Sequence, residues 1–219
     1  MGEKIFTGFQ VLITCLYFVT LFLFLSIRKK NNISDSLMTF YLYPLVGALI
    51  SILFWSKYFG FFPGEIFRIV NRLSILYHFS FLSFFIYKEV GRSKKFKFFA
   101  ILFFIIIIPF LYNDIYKMTL ISFSMANTFL FVLCSYYFYN LFSTPPILNL
   151  LKEPSFWICC GILLGCGLLI PFNAFNRQFL NLIVNKDIFY LLGVLSGLGY
   201  VVMYSFFIKS WLCMRRLAK

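Results

Sequence analysis

His78 is the one histidine in a chain of 219 residues, and it falls in the middle of an apolar run from Ile69 to Tyr87. Asn71, Ser74 and His78 are spaced three and four apart, so a helix places them on one face. An imidazole serves as a general base, a proton relay or a ligand donor. A charged group at bilayer depth costs ~3 kcal/mol or more, so ionisable residues there mark functional sites. Two readings stay open. In one, the face lines a polar pocket that binds a ligand or relays a proton. In the other, His78 is neutral and hydrogen-bonded to a neighbouring helix. Asn127, with Ser124, lies on a later run. It either completes the pocket or holds two helices together, since interhelical amide bonds are ordinary glue worth ~0.6 kcal/mol on average. Arg68 and Arg72, one turn apart, either receive an anionic ligand or snorkel to headgroups.

The catalytic sets are missing. No HExxH, GxSxG or P-loop occurs. Each Asp and Glu (Glu3, Asp35, Glu65, Glu89, Asp114, Glu153 and Asp187) lies at or beyond the end of an apolar run. Hydrolysis inside a membrane needs paired carboxylates, a serine with a base, or metal ligands. The expectation is a protein that is not an enzyme and takes no cofactor and no metal. The six cysteines lack zinc spacing with a histidine, and all but Cys213 sit in apolar runs as small hydrophobes, so no disulfide framework is expected.

The elements that would position His78 follow from composition. The chain is 62% hydrophobic and 12% charged. A soluble domain is about half apolar and about a quarter charged, so this chain has too little polar surface to cover a water-exposed fold. Its apolar runs approach the ~20 residues that cross a bilayer. The net charge of +13 does not signal nucleic acid, because the basic residues sit between the runs, where they set orientation and meet anionic headgroups.

The expected fold class is all-α, one domain over 1–219, with seven transmembrane helices at 5–27, 37–55, 69–87, 98–112, 118–142, 155–172 and 188–211. The first run is too long for a signal-peptide core and lacks a cleavage pattern, so it reads as a retained helix. Pro44 interrupts the second run, and Pro171 closes or kinks the sixth. A soluble domain is not expected at either end. With the N-terminus outside and the C-terminus inside, 13 Lys and Arg fall on the inner side and 7 on the outer, which favours that orientation. Arg92, Lys94, Lys95 and Lys97 form the most basic connection. They either dock an acidic cytoplasmic partner or serve as orientation signal alone. Gly161/Gly165 and Gly193/Gly197 are two small-xxx-small pairs. Either their two helices pack together, or one pair faces a second copy in a homo-oligomer.

One stretch carries a family resemblance. Phe138-Tyr139-Asn140-Leu141 is followed by Pro145-Pro146-Ile147-Leu148-Asn149-Leu150-Leu151-Lys152-Glu153-Pro154-Ser155-Phe156-Trp157-Ile158 and then Gly161. With Phe84-Phe85-Ile86-Tyr87-Lys88, it resembles a widespread, uncharacterised bacterial family of small seven-helix membrane proteins. Ile162 to Gly167 departs from the polar or aromatic continuation of its relatives. The resemblance implies the seven-helix layout, a bacterial cytoplasmic (inner) membrane and partnership with sensor kinases, but no activity. The functional expectation is a sensory or accessory membrane protein. It would detect a lipid, an envelope state or a small ligand and act through a cytoplasmic or membrane signalling partner via Arg92–Lys97 and the 145–153 connection. The alternative is a small transporter or permease component with its path past His78 and Asn127.

Overall fold

The computed structural model describes residues 2–27, 37, 40–61, 63–90, 101, 103, 105–109, 112, 121–143, 150–182 and 186–217. Among these residues every regular element is helical. The α-helices are α1 (Gly2–Ile27), α2 (Leu42–Tyr58), α3 (Gly64–Glu89), α4 (Ile121–Ser143), α5 (Pro154–Leu182) and α6 (Lys186–Leu217). A 3-10 turn at Leu150–Lys152 precedes α5, and residues 105–109 are also helical. The basic segment Arg92–Lys97 and most of the expected span 98–112 lie outside the described residues, as does the first part of the 145–153 connection.

Among the described residues, four stretches are long and apolar enough to cross a membrane: Lys4–Ser26, Ile121–Ser143, Pro154–Pro171 and Gly197–Arg216, with Leu42–Tyr58 a shorter apolar helix. Their outward faces carry large apolar side chains. Phe22 on α1 is 67% exposed and Val132 on α4 is 55% exposed, while Phe40, Phe79 and Phe207 in the core are at 0%. Apolar residues point both inward and outward, as in a bundle solvated by lipid. The polar residues on these helices hide their hydrogen-bonding groups against their own backbone. Thr14, Thr128, Ser135 and Ser205 each donate to the carbonyl four residues earlier, at 2.7–2.9 Å. Such back-bonding removes a donor that hydrocarbon cannot satisfy.

The helices form a closed ring in chain order, α1 to α6, with α6 packed back on α1. Cross-helix contacts give their directions. Trp55 Nε1 donates to Thr14 Oγ1 at 3.1 Å, while the Phe24 and Phe40 rings meet at 5.1 Å, so α1 and α2 are antiparallel. Phe40 meets Phe85 and Tyr43 meets His78, so α2 and α3 are antiparallel. His78 pairs with Phe123 and Phe79 with Phe129, which makes α3 and α4 parallel. Between them in sequence, Phe103 packs on both Phe79 and Phe129. Ser124 meets Ile170 and Phe138 meets Phe156, so α4 and α5 are antiparallel. Phe6 abuts Gly193 and Ser26 bonds Trp211, so α1 and α6 run parallel and the two described chain ends lie at opposite ends of the bundle.

Two prolines act through their place in the helix. The second run is broken at the turn 40–41, and Pro44 sits in the first turn of α2, where its missing N–H has no intrahelical partner to lose. The carbonyl of Phe40, four residues before it, accepts instead from the Tyr43 N–H at 3.1 Å. Pro171 does not close its helix, because α5 continues to Leu182. Membrane helices tolerate an internal proline where neighbours re-satisfy the freed backbone.

Aromatic rings gather where helices end. Trp55, Tyr58 and Phe59 cluster at the end of α2. Trp157 and Trp211 lie at the Leu217 end, with Lys209 Nζ 5.4 Å from the Trp157 ring and the Arg215 guanidinium 5.6 Å from the Trp211 ring. At the Leu217 end, rings with cations beside them are the pairing a bilayer interface favours. At the same end Trp157 Nε1 donates to the Leu151 carbonyl at 2.9 Å, and the Cys213 thiol reaches that oxygen at 3.6 Å. The 3-10 turn is thereby tied to both α5 and α6.

Candidate functional site

A cavity of about 90 Å³ lies inside the ring, lined from α1, α2, α3, α4 and α6. His78 and Ser74 contribute from α3, one turn apart on the face that the spacing predicts. The larger part of the wall is tyrosine: Tyr17, Tyr43, Tyr77, Tyr200 and Tyr204. Gly47 makes room for it. A Cβ there would lie 2.8 Å from the Tyr17 ring, so the absence of a side chain lets that ring rest against α2.

The centre of the site is a bond between the Tyr43 hydroxyl and His78 Nδ1. Tyr43 is held among the rings of Phe81, Tyr204 and Phe207, at 5.8, 6.2 and 5.8 Å. The His78 ring lies nearly parallel to Phe123, 6.2 Å between centres. Tyr43 Oη is also 4.0 Å from Met203 Sδ. If the hydroxyl donates to Nδ1, then Nε2 carries an N–H. If it donates to sulfur, Nδ1–H donates to the hydroxyl and Nε2 keeps a bare lone pair. In both arrangements Nε2 is buried without a hydrogen-bond partner among the described residues. Such a group costs about 1–3 kcal/mol, and each instance in a folded protein calls for a reason.

Other hydroxyls of the wall divide into spent and unspent ones. Tyr77 donates to the Leu42 carbonyl at 2.6 Å. Among the described residues, no hydrogen bond takes up the hydroxyls of Tyr17 or Tyr200. The lining includes no carboxylate, lysine or arginine. Among the described residues no group of three His, Cys, Asp or Glu could hold a metal ion. The arrangement is therefore a neutral hydrogen-bonding box with aromatic walls.

The remaining sequence candidates separate from it. Asn127 is buried between α4 and α5, not in the cavity wall. Its Nδ2 donates to the Phe123 carbonyl at 2.9 Å, and its Oδ1 accepts from the Cys166 thiol at 3.3 Å. Asn127→Ala is expected to lower stability by only about 0.6 kcal/mol, the average for such a bond in a bilayer, and to leave ligand affinity unchanged. Unfolding curves and a binding titration on the same variant check both halves. The side chains of Asn71, Arg68 and Arg72 lie outside those described.

Both glycine pairs face inward, but toward different helices. A Cβ at Gly161 would meet Phe206 Cβ at 2.8 Å, and one at Gly165 would meet Met203 Cβ at 2.9 Å, both on α6. A Cβ at Gly193 or Gly197 would meet Phe6 or Phe9 on α1, at 2.8 and 2.9 Å. Gly199 completes the α5–α6 seam, because its Cβ would lie 3.0 Å from the Gly165 carbonyl oxygen. The tyrosines were also missed. A tyrosine in a membrane sequence reads as an interface residue, and no spacing rule links five of them across four helices.

The fold and the cavity define a class: a helical bundle with several membrane-crossing candidates, wrapped around an uncharged tyrosine–histidine site. No family model, curated protein or solved structure matches the chain.

Proposed function

We propose that this is a seven-span inner-membrane protein that senses a small ligand in the Tyr43–His78 cavity and signals through a partner at its basic, inner end. The observation that carries the reading is the cavity itself. Side chains from five helices converge on it, with the bonded Tyr43–His78 pair in its wall. An occupant in contact with five helices favours whichever packing of them fits it best, which is what a ligand-driven switch requires. α3 carries His78 and ends at Glu89, directly before Arg92, Lys94, Lys95 and Lys97. A shift of α3 would therefore reach the segment proposed to dock the partner. The glycine-packed seams between α5, α6 and α1 bring those helices into close approach on the other side of the ring.

Seven crossings, with the N-terminus outside, are supported by the parallel run of α3 and α4, which needs one return between them. The described basic side chains agree: Lys88, Lys152, Lys209, Arg215 and Arg216 lie at one end, against Lys4 and Lys57 at the other. The resemblance in Phe138–Gly161 supports the bacterial inner membrane and a kinase-like partner. A transport path past His78 and Asn127 is less favoured, because Asn127 is engaged with Cys166 away from the cavity.

Two experiments test this. A membrane-impermeant thiol reagent applied to intact cells is expected to label cysteine placed at position 4 and to leave cysteine at position 95 unlabelled. Labelling of position 95 from outside would falsify the orientation. A folded His78→Gln variant is expected to lose the partner's response without a change in solute flux. Full retention of the response contradicts the sensing reading, and a loss of flux favours the permease.

A further inference from the structure

Resting on that reading, we infer that the occupant of the cavity is a compact neutral molecule with both a hydrogen-bond donor and an acceptor, of the small amide or alcohol class. Three observations point there. First comes size. About 90 Å³ is smaller than the ~150 Å³ cavity that accommodates benzene. The part of an occupant that enters it is therefore compact.

Second comes charge. No acidic or permanently basic side chain lines the wall. An anion would leave water for a site without a cation, and a cation for a site without a carboxylate. Aromatic faces attract a cation, but this weak attraction is smaller than the cost of stripping an ion of water. A neutral molecule avoids that cost.

Third comes unspent hydrogen-bonding capacity. The hydroxyls of Tyr17 and Tyr200 come from α1 and α6 and are unengaged among the described residues. A phenol both donates and accepts. A molecule that does the same can bond to both, whereas a hydrocarbon would leave both unsatisfied. The Tyr43–His78 pair, already bonded within itself, sets the floor of the site.

The test uses the full chain in lipid nanodiscs and four probes of nearly one shape: acetamide, acetate, acetamidinium and acetone. Binding is followed by saturation transfer from protein to probe. Acetamide is expected to saturate wild type in about the millimolar range, as four heavy atoms permit. Acetate and acetamidinium are expected to bind at least about tenfold more weakly, and acetone, which cannot donate, to lie between. Tyr17→Phe and Tyr200→Phe remove one oxygen each and keep the shape. Each is expected to weaken acetamide about tenfold, the value of one hydrogen bond, with the unfolding midpoint unchanged. The inference is overturned if acetamide does not bind, if both Phe variants bind it as wild type does, or if a charged probe binds as tightly. A charged probe in the cavity would defeat the ligand class while leaving the sensing reading intact. Acetamide binding as described, with the partner's output unmoved by Tyr43→Phe, would support the class and defeat the sensing reading.

Discussion

Gly165→Val is expected to destabilise the bundle by about 3 kcal/mol or more, the upper range for forcing atoms into a packed core. The reason is geometric. The first added carbon already falls 2.9 Å from Met203 Cβ and 3.0 Å from the Gly199 carbonyl oxygen. The second of these is backbone and cannot rotate away, so α5 and α6 must separate. Gly199 faces the reciprocal constraint, with its Cβ 3.0 Å from the Gly165 carbonyl oxygen. Two helices in lipid gain little from hydrophobic exclusion and associate through close packing, so lost approach is not recovered elsewhere. Gly8 supplies the control, because a Cβ there meets nothing within 4 Å. Gly8→Ala is expected to leave stability unchanged or to raise it by up to about 1 kcal/mol, the helix-propensity difference. Unfolding in mixed micelles with a denaturing detergent compares the two, and equal midpoints would refute the seam.

The second large effect concerns the centre of the site. Tyr43→Phe removes the partner of His78 Nδ1 in a side chain whose Nε2 has no partner among the described residues. The expected cost is about 1–3 kcal/mol, because a buried polar atom left alone keeps its full desolvation penalty. Adding His78→Phe to that variant is expected to recover part of the loss, because replacing both partners by apolar rings of similar shape removes the stranded imidazole nitrogen. Function should follow the opposite pattern: the double variant is stable and silent. A double variant no more stable than Tyr43→Phe alone would show that the two side chains do not act as a pair.

Much of this molecule can be read before any coordinates. Composition and run lengths locate the apolar helices, since lipid accepts little else. The face shared by Ser74 and His78 follows from helical spacing alone. Partners are harder, because periodicity tells which side of a helix matters and not which helix lies opposite. Gly193 and Gly197 show this: their spacing marks a close approach, yet nothing in it names Phe6 and Phe9, almost 190 residues earlier. Tyr43 shows it again, 35 residues from His78 and on another helix. Pro44 and Pro171 leave alternatives open in the sequence for a different reason. A proline's effect depends on its place in the helix and on its neighbours. Pro44 lies in the first turn of α2, and Pro171 is carried through inside α5. Asn127 has the right chemistry for a pocket but is held in a bond to Cys166.

The claim that organises this account is that the state of the Tyr43–His78 cavity is read by a partner at the basic end. The direct measurement is purification from native membranes through a tag placed after Lys219, for wild type and for Tyr43→Phe, with quantification of bound protein. The account predicts a partner near one copy per chain with wild type and a clearly changed recovery with Tyr43→Phe. A partner-free chain, or equal recovery with both, would contradict it.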